Sequence, residues 1–450
     1  MNIQLPYYIE QTIKRLNDAG FEAYIVGGSV RDLLRGVVPH DYDMTTNARP
    51  EQIQEVFEDT LYNNAFGTVA VRVTDDEDMP QTIEVTPYRT EQGYSDGRHP
   101  DVVEFGDSLE EDLKRRDFTI NAMATDGVTL VDLFGGQKDL SNKIVRTVGV
   151  PHERFSEDAL RMMRACRFAA QLDYALEPDT QAAIADLKNN LTQVSQERIR
   201  DELLKTIAAD NNYRGLWLMF ETGLMQHTLP ELLEGVQCAQ NKHHIYSVFM
   251  HNLQAMQYCP SDDPIVRFAA LLHDVGKPRT KEGEFPNATF HNHEHVGADM
   301  TRDIFKRLQF SKRDTERAEH LVRNHMFFYS VGEVSDAGVR RLVKRIGKEH
   351  IDDLMAVRVG DRMGSGCQIE KPYKLLEMER RMHEVEQDPM DTTMLKIDGH
   401  DVMRLTGMKP GREIGVYMNL LLEDILEDPS LNTIEYLEKR LLELWNQREQ

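Results

Sequence analysis

No run of apolar residues in this 450-residue chain approaches the length that crosses a bilayer, so a helical membrane protein is not expected. Cysteine is scarce. Cys166, Cys238, Cys259 and Cys367 lie far apart with no C-x-x-C pair, which excludes a zinc knuckle or a disulfide framework and leaves free buried thiols as the plain reading. Positive charge is also in deficit: 53 Lys and Arg stand against 76 Asp and Glu, a formal net charge of −23. A broad basic surface of the kind that holds nucleic acid non-specifically is thereby excluded, and any such contact must be local. Candidate local stretches are Lys114–Arg115–Arg116, then Arg161, Arg164 and Arg167, and later Arg340, Arg341, Lys344 and Arg345. The last group reads best as a solvated helix face. Low-complexity tracts and solenoid-period repeats are missing too. The opening segment, MNIQLPYYIEQTIKRLNDAG, lacks the basic and apolar regions of a signal peptide and reads as a helix, so cytoplasmic residence is expected.

What is present is ordinary globular composition, with 40% apolar and 29% charged residues over a length of roughly three domains. Up to residue 147, short β-rich runs (EAYIV, TVAVRVT, TIEVTPY, TLVDLF) alternate with turn signals and brief helical stretches. From residue 148 the apolar period becomes 3.6 and continues almost to the end. The expected class is α+β: a mixed-sheet domain (1–147), then an all-helical neck (148–235), a second helical domain (236–385) and a helical tail (395–450), with a linker near 382–394.

Two constellations carry chemistry. In VGGSVRDLLRGVVPHDYDMTT, a strand runs into Gly27–Gly28, a helix begins at about Ser29, and Asp41–Tyr42–Asp43 follows in extended form. Glycines after a strand let backbone approach an anion, and a helix N-terminus together with Arg31 suits a polyphosphate. Asp41 and Asp43, two apart on a strand, face one side with Tyr42 turned away. Two like charges converging there call for a cation, and Mg²⁺ takes such ligands alongside substrate phosphates.

Five segments in order, GGSVRD with Asp41–Tyr42–Asp43, RRDFTINAMA, DLFGGQKDL, EDALRMMRACRF and QERIRDELLK, resemble the class II tRNA nucleotidyltransferases and the related bacterial poly(A) polymerases. The likeness is dense over the first ~210 residues. It implies a polymerase-β-like nucleotidyltransferase head that extends RNA 3′ ends without a template, adding C, C and A to tRNA from CTP and ATP; CC-only, A-only and poly(A) addition are alternatives within the family. It further implies that Gly28, Arg31 and Arg115 contact the nucleotide's phosphates. Asp41 and Asp43 would hold Mg²⁺, with Asp41 helping to activate the RNA 3′-hydroxyl. Asp158 and Arg161 would read the base edge, with Arg164 and Arg167 close by on the same helix. A carboxylate accepting from an exocyclic amino group and an Arg donating to ring acceptors suit C and A. Glu84 in TIEVTPYR is a candidate further acid. Arg89, Tyr94, Asp96, Arg98 and Pro100 match the family's mobile loop, whose completeness favours full CCA addition.

The second constellation is His251, His273–Asp274, the cluster His291, His293 and His295, then His325 and Asp361. Imidazoles and carboxylates spread over several helices suit Mn, Fe, Ni or Co. The pattern resembles the HD phosphohydrolase superfamily, which implies His251, His273, Asp274 and Asp361 as metal ligands, with His293 and His325 adding a second metal. An alternative reading makes this site the principal activity, acting on nucleotides or RNA ends. Lys277 is a candidate phosphate contact. Tyr417 and Trp445 near the C-terminus are read as packing residues, and oligomeric state is not legible.

Overall fold

A computed structural model describes residues 3–448 other than 64–66, 76, 93–101, 107, 241–245, 285–286, 328–331 and 367–372. The loop residues Tyr94, Asp96, Arg98 and Pro100, and Cys367, lie outside the described residues. The chain divides into two compact units, Met1–Leu233 with Arg307–Gln309, and Glu234–Lys306 with Phe310–Gln450.

The first unit is built on a mixed sheet. Its strands are β1 (Ala23–Val26), β2 (Asp43–Thr46), β3 (Thr60–Asn63), β4 (Thr68–Thr74) and β5 (Pro80–Pro87), then, beyond a separate hairpin of β6 (Arg89–Gln92) and β7 (Val102–Phe105), β8 (Met123–Thr125) and β9 (Leu130–Asp132). The spatial order is β3-β4-β5-β2-β1-β8-β9, antiparallel except for the parallel β2–β5 pair. Helix Tyr7–Asp18 buries Ile9, Ile13 and Leu16, spaced to form one face, against Ile25, Met44, Val69, Val71, Ile83 and Val85 of the sheet. That burial leaves the opposite face of β2 to present the exposed Asp43.

Helices follow the sheet: Pro151–Glu157, Leu160–Leu172, Pro178–Leu187, Gln196–Ile207 and Asn212–Glu221. Leu160–Leu172 is buried nearly all round, so it is the central element of this part. A two-residue parallel pair, Ile144–Val145 with Ala175–Leu176, interrupts the helical run expected after residue 148. Ala175–Leu176 is too short to carry a β pattern in sequence.

The second unit is helical. Val248–Gln257, Pro264–Leu272, His293–Arg307, Lys312–Asn324 and Ile351–Gly364 come first, followed by a tail of Gly399–Thr406, Arg412–Glu427 and Ile434–Gln447 around Val402, Leu421, Leu422, Ile425, Leu437 and Leu441. Asp398 caps the first tail helix by accepting from the backbone N–H groups of His400 and Asp401, and Gly407 ends it with φ of +70°. Tyr417 and Trp445 pack edge-to-face against each other, consistent with a packing role. The segment near 382–394 is no loose tether: Met382 and Val385 are buried and Asp388 pairs with Arg340 at 2.6 Å. Arg341 and Lys344 face Glu423 and Glu427 as paired surface charges, whereas Arg340 is buried and donates to the Leu426 carbonyl, so it departs from the expected solvated face. Among the described residues no helix is long and apolar enough to cross a membrane. Cys166, Cys238 and Cys259 are free and buried, and desolvation pushes the Cys166 and Cys259 thiols up to about 12.

Candidate active site

β1 ends at Val26, and the chain turns through Gly27 at φ of +73°, a left-handed conformation that suits glycine. A Cβ there would lie 3.1 Å from Nη1 of Arg116 and 3.9 Å from Oδ2 of Asp43. The turn therefore passes directly beside a carboxylate and a guanidinium. Helix Gly28–Leu34 starts at once, and its buried Ser29 acts as a clasp: the hydroxyl donates to the Asp41 carbonyl at 2.9 Å and accepts from the Asp43 N–H at 3.2 Å. Ser29 was not singled out from the sequence, although its place inside the Gly-Gly-Ser segment was visible.

β2 begins at Asp43, so Asp41 sits in the bend just before it. The alternation still holds, with Asp41 and Asp43 exposed and Tyr42 buried edge-on to Tyr8. The parallel register pairs Asp43 with Glu84 of β5, whose side chain is also exposed. Three carboxylates thus gather on one side of the sheet. The Asp43 carboxyl is raised, first because protein on several sides desolvates it and further by the charge of Asp41, with Arg116 opposing. The donor oxygens of such a carboxylate group fit a divalent cation.

The expected phosphate contacts are held in ion pairs around this cluster. Arg31 bonds Asp32 through Nε and Nη2 (3.0 and 2.8 Å) and donates from Nη1 to Asn121 at 2.9 Å. Arg115 and Arg116 share the fully buried Asp112, whose carboxyl is lowered because the two guanidinium charges outweigh its desolvation. Gly28 stands beside the Arg31 guanidinium, 3.4 Å from where its Cβ would be.

Asp158 does not lie on the helix that carries Arg161, Arg164 and Arg167, contrary to the expected common helix. Asp158 is extended, with φ of −143°, and forms the joint between two helices. Its Oδ1 accepts from the Leu160 N–H at 3.0 Å and its Oδ2 from Arg198 at 2.7 Å. Arg161 pairs instead with Glu157 at 2.6 Å and donates to the Arg115 carbonyl, so both residues do stand at the boundary between sheet and helices. Arg198 was missed, although it lies within the QERIRDELLK segment. Arg164 binds Asp117 through Nε and Nη2 (2.8 and 2.5 Å). Burial would raise the Asp117 carboxyl, yet the Arg164 charge and its hydrogen bonds hold it at about 2. Arg167 is buried against the Phe168 ring, with Nε on Glu202 at 2.6 Å and Nη1 on Gln171, so its guanidinium is engaged in helix packing.

In the second unit, close backbone approach assembles the other constellation. A Cβ on Gly360 would meet the Ala255 carbonyl oxygen at 2.4 Å, and one on Gly364 the Ala255 nitrogen at 2.7 Å, so two glycines one turn apart let helices Val248–Gln257 and Ile351–Gly364 touch. His251 and Asp361 meet there at 3.3 Å. At Gly276 a Cβ would lie 2.3 Å from the His293 carbonyl oxygen, which brings the His273–Asp274 turn onto the start of the next helix.

Asp274 stands in the middle. Its Oδ2 faces His251 (3.2 Å) and His273 (3.3 Å), and its Oδ1 faces His293 (3.2 Å) and His325 (3.7 Å). Two overlapping ligand trios result, His251–His273–Asp274 and Asp274–His293–His325. The Nδ1 atoms of His273, His293 and His325 lie 2.7 to 2.8 Å from the carbonyls of Ala270, Phe290 and Val322. A carbonyl only accepts, so each Nδ1 carries a proton and each Nε2 points inward. The buried Nε2 atoms of His293 and His325 have no hydrogen-bond partner, an arrangement that fits a cation. Although burial opposes it, the charges of His273 and Lys277 hold Asp274 well below the carboxylate range, and hydrogen bonds from His251 and His273 do the same for Asp361. Against the desolvation that would lower it, Asp274 raises His273 to about 10; His325, where burial dominates, is lowered. Of the three clustered histidines only His293 joins the centre: His291 is exposed and His295 turns outward to Arg323. Lys277 is buried, with Nζ 2.5 Å from Asp274 and 2.7 Å from Gln240.

Comparison with known proteins finds family matches in both parts of the chain. Residues 23–146 match the Poly A polymerase head domain, 173–235 the probable RNA and SrmB-binding site of polymerase A, and 243–358 the HD domain. An A-adding tRNA nucleotidyltransferase of Deinococcus radiodurans is 36% identical over 417 residues, covering 89% of this chain and 91% of that protein. A CCA-adding enzyme of Enterococcus faecalis is 50% identical over 224 residues, 49% of this chain and about half (54%) of that enzyme. Among solved structures, the Bacillus stearothermophilus CCA-adding enzyme in complex with CTP aligns with a TM-score of 0.76 at 27% identity, covering 98% of each chain. The chain belongs to the class II CCA-adding enzyme and poly(A) polymerase family, in the form that carries an HD domain.

Proposed function

We propose that this protein is a CCA-adding tRNA nucleotidyltransferase that uses CTP and ATP without a nucleic-acid template and works in the cytoplasm. The observation that carries the reading is the convergence of Asp41, Asp43 and Glu84 beside the Gly27–Gly28 turn, with Arg31, Arg115 and Arg116 around it. Asp41 and Asp43 would hold Mg²⁺, which when bound stabilises charge on the attacking and leaving oxygens. The chain's own groups do the rest. Gly27 lets a phosphate approach the backbone, Arg31 and Arg115 neutralise it, and Asp158, positioned by Arg198, accepts from the amino group of C or A while Arg161 donates to the ring. Arg164 stands behind them, fixed by Asp117.

Full CCA addition is favoured over its specialist relatives by the structural likeness that extends along the whole chain to a CCA-adding enzyme. The full-length similarity to an A-adding enzyme keeps A-only addition as the rival reading. Incorporation of labelled CTP and ATP into tRNA transcripts ending before, within and after CCA separates them. Addition of C, C and A followed by arrest supports the proposal; A alone on a CC end makes the enzyme an A-adder, and continued A growth makes it a poly(A) polymerase.

A second activity rests on the two ligand trios around Asp274. We assign His251, His273, Asp274 and Asp361 to one divalent transition metal (Mn, Ni, Co or Fe) and His293 and His325, with Asp274, to another. A metal held there would supply Lewis-acid activation of water and of a phosphoryl oxygen, the chemistry of phosphate-ester hydrolysis on nucleotides or RNA ends.

A further inference from the structure

The second carboxylate oxygen of Asp361 is turned away from the histidines. While Oδ1 faces His251 and His273 at 3.3 and 3.6 Å, Oδ2 accepts from Nη1 of Arg358 at 2.5 Å. Arg358 lies one turn before Asp361 on helix Ile351–Gly364, so the helix itself presents the pair. Its guanidinium sits 5.6 Å from the ring of Phe327, two residues beyond the ligand His325. Among the described residues only Nη1 is engaged, and the side chain keeps 29% of its exposure.

We propose that Arg358 is the phosphate-binding residue of the HD centre, a role that rests on the second activity proposed above. A guanidinium offers five donors in a planar fork. One is used to orient Asp361, and the Phe327 ring limits where the plane can lie. The others remain at the solvent edge of a buried metal-ligand cluster, where the oxygens of a phosphate ester bridging metal and solvent need donors. A purely structural partner for Asp361 would serve as well if it were fully buried; partial exposure beside an otherwise buried cluster is what a substrate contact requires. Lys277 does not fill this role, because its ammonium is buried between Asp274 and Gln240.

The test uses the full-length chain in an Asp43→Ala background, which silences the polymerising site, loaded with Mn²⁺. Metal content is measured first, then binding of inorganic phosphate from ³¹P relaxation near the ion. The proposal expects Arg358→Gln to keep the metal and weaken phosphate at least tenfold, with Arg358→Lys recovering part of the loss. Phosphate affinity unchanged in Arg358→Gln overturns it. Loss of metal in Arg358→Gln also overturns it, by making the residue a positioning group for Asp361. Failure of the parent chain to take up metal defeats the second activity itself, and the proposal with it.

Discussion

Asp43 and Glu84 are register partners across the parallel pairing of β2 and β5, so carboxylates from two strands emerge side by side. Glu84→Gln is expected to lower nucleotide incorporation by roughly 10–100-fold, the range for groups supporting a metal site. Asp43→Ala should abolish it. Both side chains are exposed, so Tm should stay close to the parent value. Labelled CTP incorporation in Mg²⁺, read beside thermal melts, checks this; an unchanged rate in Glu84→Gln would reduce that residue to a solvated strand position.

Gly27 carries a different burden. Substitution by Ala forces an L-residue to φ of +73° and places its Cβ 3.1 Å from Nη1 of Arg116. The backbone part costs about 1–2 kcal/mol. Gly27→Ala should therefore lower Tm by a few degrees and raise KM for CTP, because Arg116 must move. A variant with parental Tm and KM would mean the turn relaxes freely.

Much of this was legible beforehand. The strands TVAVRVT and TIEVTPY are readable because β-branched residues alternate there, EAYIV because it is a short apolar run, and the Asp41–Tyr42–Asp43 alternation predicts which side chains face out. The Asp158 geometry was not. A spacing of three implies a shared face only inside a continuous helix, and the break at Asp158 comes from its own extended backbone, which no periodicity signals. The packing of Arg167 was hidden for a related reason. Its partner Glu202 is 35 residues away, and burial of an arginine by a distant glutamate leaves no local mark. The HD ligands were legible as residue types, while the glycines that press their helices together, Gly276, Gly360 and Gly364, gained meaning only from the backbone distances.

Gly276→Ala tests that assembly. Its Cβ would lie 2.3 Å from the His293 carbonyl oxygen and 2.6 Å from the Gly297 nitrogen, both backbone atoms that cannot rotate aside. Overpacking of this kind costs about 1–3 kcal/mol. The variant should melt earlier and retain less Mn²⁺, since His293 and Asp274 are forced apart. Parental metal content by elemental analysis would show that the ligands tolerate the shift.

Asp117 makes a pH-dependent contribution of predictable sign. Its carboxyl sits at about 2 in the folded protein, against ~3.9 in an unfolded chain. A lowered folded value stabilises fully above the unfolded value and is lost as pH falls from about 4 to about 2. The difference amounts to roughly 2–3 kcal/mol. Asp117→Asn should be less stable than the parent at pH 6 and should lose less stability than the parent between pH 4 and pH 3. Urea unfolding at each pH measures it, and parallel losses in the two proteins would contradict the assignment.

In the proposed reading, base choice turns on Asp158 held by Arg198. The carboxylate accepts from Arg198 at 2.7 Å and from the Leu160 N–H at 3.0 Å, so its two oxygens are fixed without help from Arg161. An ionised carboxylate only accepts, which suits the amino groups of C and A and opposes the carbonyls that U and G present at the corresponding position. Asp158→Asn gives that position a donor as well, so UTP and GTP should enter where the parent excludes them. Arg198→Ala acts differently. It leaves the carboxylate charged but held only by one backbone N–H, so KM for CTP and ATP should rise while U and G remain excluded. Single-nucleotide incorporation on tRNA ending before C, before the second C and before A separates the two effects. If Asp158→Asn kept the parent's discrimination, base recognition would have to be moved to Arg161 and its neighbours.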